Sequence, residues 1–213
     1  MKQFMEKNEA KKILATLIEM YPDAKCELEH KNAFELLIAV SLSAQTTDKR
    51  VNIVTKELFQ KYKDPYMLKD AKYEDVYEII KSLGLAKVKA NNIINLSASL
   101  VKDFDGKVPS TRDELCSLVG VGRKTANVVL SVWFKENALA VDTHVARVSK
   151  RLGFTINDDP LKIEKDLMEL FEQNSWYKLH HVLIFFGRYF CKAVNPMCTS
   201  CPFKNICKEK NQE

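Results

Sequence analysis

The stretch VGVGRKTANVV, Val119–Val129, places two of the six glycines of a 213-residue chain around a single valine, follows them with two cations and then turns apolar. Upstream, Asp113 to Leu118 reads as a short helix. A second helix starts near Gly122, and Leu115, Leu118, Val128 and Val129 are spaced to pack the two together. Gly120 and Gly122 are expected to adopt backbone angles closed to residues with a side chain, and to bare the amides that open the second helix. Such amides form a seat for a phosphate. Glycines alone would fit an ordinary αα turn. The whole pattern of apolar, Gly, apolar, Gly, then Arg123, Lys124 and Ala126, describes a helix-hairpin-helix that grips a nucleic-acid backbone without reading bases.

Helical periodicity extends over most of the chain, through Ile13, Leu14, Leu17 and Ile18, then Phe34, Leu37, Ile38 and Leu42, then Val51, Val54, Leu58 and Phe59. No strand alternation competes with it. Asn32 with Glu35 resembles a capping box, Asp142 is placed to cap the next segment, and Pro22 and Pro65 act as breaks. The expected fold class is all-α, with about ten helices and short connections. An internal echo relates GLAKVKAN at Gly84–Asn91 to GVGRKTAN at Gly120–Asn127, and marks a second lysine-rich turn.

Thirty-three Lys and Arg against 28 Asp and Glu leave a net charge of +5, which permits a polyanionic partner without requiring one. The chain shows no apolar signal core and no run long enough to cross a bilayer, so a cytoplasmic protein without a membrane partner is expected. Four of the six cysteines, Cys191, Cys198, Cys201 and Cys207, crowd together at intervals of six, two and five residues, while Cys26 and Cys116 stand alone in apolar surroundings. In a reducing compartment such crowding argues for metal rather than disulfides. Four thiolates suit tetrahedral zinc or an iron-sulfur cluster. The long first interval followed by C-x-x-C favours the cluster, whose corners lie further apart. Arg188, Lys192, Lys204 and Lys208 are expected around the thiolates, where they would offset cluster charge and face phosphates.

Two further residues carry chemistry. Lys124 sits where the positive end of a helix and the adjacent Arg123 both oppose its charged form, and a neutral lysine is a nucleophile. Asp142, in AVDTHVAR, is an N-cap that could also stabilise a developing sugar cation or take a proton from the lysine.

Together SAQTTD (Ser43–Asp48), GVGRKTANVVL (Gly120–Leu130), AVDTHVARV (Ala140–Val148), FGRYFC (Phe186–Cys191) and the cysteine spacing resemble the endonuclease III family of helix-hairpin-helix DNA glycosylases, over essentially the entire chain. Phe186 departs from the polar or His residue common in relatives. The resemblance implies a base-excision repair enzyme acting on double-stranded DNA that contains damaged pyrimidines or abasic sites, a monomer associated with the nucleoid. It implies Lys124 as the nucleophile on the sugar C1′, Asp142 as its activating partner, a Schiff base, and β-elimination that cuts 3′ to the abasic site. Gln45 and Leu85 would fill the space left by the extruded nucleotide. Gly120, Gly122, Arg123 and Lys192 would contact the backbone, and the four cysteines would hold a 4Fe-4S cluster. The implied architecture is two helical domains flanking a cleft: a six-helix domain over 26–136, and a discontinuous one from 1–25 plus 137–213. His144 would line the lesion pocket or support the first turn of its helix. An adenine-mismatch glycosylase, a non-catalytic DNA-binding module with a structural metal, and an electron-transfer ferredoxin are the competing classes.

Overall fold

The computed structural model describes residues 5–209, and among them every regular element is helical. In chain order these are α1 (Lys7–Met20), α2 (Ala33–Leu42), α3 (Asp48–Lys61), α4 (Pro65–Lys69), α5 (Tyr73–Ile80), α6 (Ala86–Phe104), α7 (Arg112–Ser117), α8 (Arg123–Val132), α9 (Thr143–Leu152), α10 (Pro160–Leu170) and α11 (Trp176–Phe185). A 3₁₀ turn (Gln173–Ser175) precedes α11, and a π turn (Phe186–Phe190) continues it. The chain divides into two compact units, residues 27–136 and residues 1–26 with 137–213.

In the 27–136 unit α2 is the central helix. Phe34, Glu35, Leu36, Leu37, Ile38, Ala39, Val40 and Leu42 are all buried, as expected of a helix that is apolar nearly all round. Its start is fixed by Asn32, whose Oδ1 accepts from Glu35 N at 2.8 Å, while Glu35 Oε2 accepts from Lys31 N at 2.7 Å. Helices α3, α6 and α8 pack on α2, and α4 and α5 pack on α6. Each fully buried leucine contributes ~1.5–3 kcal/mol relative to exposure. Seven helices occupy this unit rather than the six expected, α4 and α7 being little more than single turns. Pro65 opens α4 at a position where its missing N–H costs nothing, behind the Asp64 cap.

In the other unit α11 is the buried element, carrying Leu179, Val182, Leu183 and Ile184 into a core shared with Ala10, Ile13, Leu14 and Leu17 of α1 and with Val145, Val148 and Leu152 of α9. The same core takes in Phe186 of the π turn and Phe203 of the cysteine loop, whose rings meet edge to face at 5.5 Å. Phe186, the departure from relatives noted in sequence, is therefore a core residue.

Candidate functional site

The hairpin is α7, a tight turn and α8. Leu115, Leu118, Val128 and Val129 are buried between and beneath the two helices, and Arg112 Nε donates to the buried Asn127 Oδ1 at 2.8 Å, tying the start of α7 to α8. The two glycines differ in purpose. Gly120 has φ +75°, and a Cβ there would stand 3.1 Å from Asn92 Nδ2, so both backbone angle and space exclude a side chain. Gly122 has φ −95° and ψ 173°, ordinary extended values, and a Cβ on it would meet nothing within 4 Å. The expectation that both glycines supply unusual angles holds for Gly120 alone. What Gly122 provides is open space beside the first amides of α8, for which it is the N-cap without any side-chain cap bond. Arg123 is exposed and Lys124 half-buried in that first turn.

Two more turns of the same unit carry Gln45 and Leu85. Both are non-glycine residues in the left-handed region, with φ 53° and 60°. Both are exposed, Leu85 to 56%. A left-handed conformation costs an L-residue ~1–2 kcal/mol, and such strain collects at functional sites. Lys89 of α6 is buried behind them. Its Nζ donates to Ala44 O at 2.6 Å and to Thr46 Oγ1 at 3.1 Å. Burial pushes its ammonium below the usual lysine range. The sequence reading marked this turn as lysine-rich but gave Lys89 no role. The available signal was a lysine on the apolar stripe of Ala86, Ala90 and Ile93.

In the second unit Asp142 caps α9, its Oδ1 accepting from Val145 N at 2.8 Å, which leaves the carboxylate held at a helix start. Two residues on, His144 Nδ1 lies 3.3 Å from Arg147 Nη2. Burial lowers the His144 imidazole below its ordinary range, with Arg147 and Arg188 acting the same way and Asp142 opposing them. The imidazole's hydrogen bond with the Gly187 backbone also opposes the lowering, so His144 is engaged both with its own helix and with the π turn.

The four cysteines follow the π turn, which closes when Cys191 N donates to Phe186 O at 2.7 Å. All six cysteines are free thiols, the four of the loop half-buried. Cys116, expected in apolar surroundings, is exposed on α7. Burial raises the Cys201 and Cys207 thiols, the backbone at Phe203 and Glu209 respectively opposes it, and the neighbouring thiols, Cys191 and Cys198 among them, act with burial. Among the described residues no three His, Cys, Asp or Glu side chains close on a single metal ion. The cation at the sulfurs is Arg151 of α9, whose Nη1 donates to Cys191 Sγ at 3.4 Å and to Lys192 O at 2.8 Å. Arg147 Nη2 donates to Gly187 O at 2.8 Å and to Cys191 O at 3.1 Å. Sequence proximity had suggested Arg188, which is half-buried, and Lys192, Lys204 and Lys208, all of which are exposed. The pair Arg147 and Arg151, one helical turn apart on α9, was the readable but missed signal.

Residues 38–173 match the family described as HhH-GPD superfamily base excision DNA repair protein. Endonuclease III of Bacillus subtilis is 54% identical over 192 residues, 90% of this chain and 88% of the relative. Endonuclease III of Synechocystis is 44% identical over 97% of this chain and 94% of the relative. The solved structure of a trapped endonuclease III–DNA covalent intermediate, an estranged-adenine complex, superposes with a TM-score of 0.94 at 52% identity and covers 97% of each chain.

Proposed function

The chain belongs to the HhH-GPD superfamily of base excision DNA repair proteins, in its endonuclease III family, and from that premise we propose that it removes oxidised pyrimidines from duplex DNA and cuts the resulting abasic strand. The observation that carries the reading is the hairpin itself. An uncapped helix start, open space at Gly122 and a lysine in the first turn together form a phosphate seat with an amine beside it. Arg123 and the amides after Gly122 hold the backbone, and exposed Lys192 adds a further phosphate contact from the cysteine loop. Leu85 and Gln45, projecting from strained turns, fill the space left when the damaged nucleotide leaves the stack.

The chemistry then balances on two groups. The nitrogen of Lys124 bonds to the sugar C1′ as the bond from C1′ to the base breaks, and the base departs with that electron pair and later gains a proton. Asp142 takes the proton from the attacking amine and stabilises the positive charge that develops on the sugar. Ring opening leaves a Schiff base. Loss of a proton from C2′ expels the 3′ phosphate, and water then frees the lysine.

Four half-buried thiols crowded into one short loop, at intervals of six, two and five residues, suit a 4Fe-4S cluster ligated by Cys191, Cys198, Cys201 and Cys207. When bound, the cluster would cross-link the loop that carries Lys192. Arg151 donates to one ligand sulfur, and the packing of Phe186 against Phe203 shields the loop's inner side. The protein acts as a monomer on DNA containing damaged pyrimidines or abasic sites, in the cytoplasm at the nucleoid. Among the described residues no helix is long and apolar enough to cross a membrane.

The test is base release from a panel of duplexes with one defined lesion each, together with iron and acid-labile sulfide assays. Release confined to oxidised pyrimidines, with iron and sulfide at about four each per chain, is expected. Release only of adenine from mismatches, or zinc without sulfide, contradicts the reading.

A further inference from the structure

Lys89 is charged yet only 5% exposed, on the buried stripe of α6. A buried ammonium costs several kcal/mol unless its donors are met, so its partners explain its position. Its backbone N–H donates to Leu85 O at 3.0 Å. Its Nζ donates to the carbonyl before Gln45 and to the hydroxyl after it, the Ala44 bond at 2.6 Å having the shortness of a charge-assisted contact. The Lys89 side chain therefore ties down both neighbours of Gln45, while the backbone N–H of the same residue closes the first turn of α6 on Leu85. Gly84 brings the same two turns together, since a Cβ on it would stand 3.2 Å from Gln45 O. Left-handed residues persist only where their surroundings enforce them, and here Lys89 meets both turns, the Gln45 turn through its side chain and Leu85 through its backbone.

We infer that Lys89 is the positioning residue of the extrusion wedge, locking the turn of Gln45 to the turn of Leu85 so that both side chains enter the duplex as one preorganised element. The inference rests on the reading of Gln45 and Leu85 as space-filling residues. Lys89 itself touches neither substrate nor reacting atoms. Without the lock the 43–47 turn relaxes, and the wedge must be ordered again each time a base is extruded.

The test compares Lys89→Met, which keeps the stem but removes the donor, in two backgrounds: the natural chain and the Gln45→Ala/Leu85→Ala double variant. Single-turnover base release is measured on a duplex with one thymine glycol opposite adenine, and 2-aminopurine beside the lesion reports extrusion. The natural background should lose about tenfold in both readouts, and the wedge-less background less than about twofold, because Lys89 then has nothing to position. An equal loss in both backgrounds, or none in the natural one, overturns the inference. Thr46→Val, which removes one acceptor and leaves α6 intact, should reproduce the loss at about threefold; if it leaves release and 2-aminopurine signal unchanged where Lys89→Met does not fold, the inference also fails. If the Gln45→Ala/Leu85→Ala variant extrudes and releases as the natural chain does, the wedge reading itself fails first.

Discussion

Alanine at each hairpin glycine separates the two roles assigned to them. At Gly120, φ +75° imposes ~1–2 kcal/mol on an L-residue. The added Cβ also meets Asn92 Nδ2 at 3.1 Å and Asn92 Cβ at 3.3 Å; the amide can swing aside but the Cβ cannot. Alanine reduces unfolded-chain entropy by ~0.4–1 kcal/mol in compensation. The net loss is about 1–2 kcal/mol, or roughly 3–6 °C in Tm for a chain of this size. At Gly122 the backbone is ordinary and the space empty, so the ~0.4–1 kcal/mol gained from the unfolded chain offsets alanine's poorer fit at an N-cap, and Gly122→Ala should melt close to the parent. Its methyl group would instead stand where a DNA backbone approaches. Losing one charged amide–phosphate hydrogen bond costs ~1.5–3 kcal/mol, tenfold or more in Kd. Thermal melts and duplex binding, the latter in a Lys124→Ala background so that substrate is not consumed, read both quantities. A Gly120→Ala protein that melts with the parent, or a Gly122→Ala protein that binds duplex with parental affinity, refutes the division of labour.

Asp142→Asn should keep its cap, since Asn serves that position as well as Asp, and so hold Tm within a few degrees while base release falls about a hundredfold or more; a matched loss of stability would make Asp142 a cap only. Leu85→Gly relieves ~1–2 kcal/mol of left-handed strain against ~0.4–1 kcal/mol of unfolded-chain entropy, so it should match or exceed the parent in denaturant melts while releasing base about tenfold more slowly. His181 is lowered by burial first, with Lys178 and Arg188 assisting and the Tyr177 carbonyl, 2.8 Å from Nδ1, and Asp142 opposing. The unfolded chain therefore binds more protons at this site. Its stabilisation is complete above about pH 6.5 and is lost as pH falls below that, by at most ~1.4 kcal/mol per pH unit per proton; denaturant midpoints across that range should show the slope, and His181→Gln should flatten it.

What was legible in the sequence was local. The caps at Asn32 and Asp142 and the hairpin spacing each depend on residues within one or two turns, and each formed as read, while Pro65, read as a break, also opens α4. Two of the misses depend on partners distant in the chain. Arg151 reaches Cys191 across 40 positions, and Lys89 reaches Ala44 across 45. Nearby lysines had been assigned the role of Arg151, because charge close in sequence is visible and charge close in space is not. Gly122 was misread because glycine serves angle and space alike, and only the backbone separates them. The left-handed turns at Gln45 and Leu85 had no signal at all, since neither residue type favours that conformation; the family likeness named the two residues without explaining how they are held.

The central claim is that Lys124 bonds covalently to the sugar. Borohydride reduction of the protein on a duplex carrying one abasic site, followed by peptide mass spectrometry, tests it most directly. The account predicts a stable adduct on the peptide containing Lys124, absent in Lys124→Ala although that variant still binds the duplex. No adduct, or one on a different lysine, contradicts it.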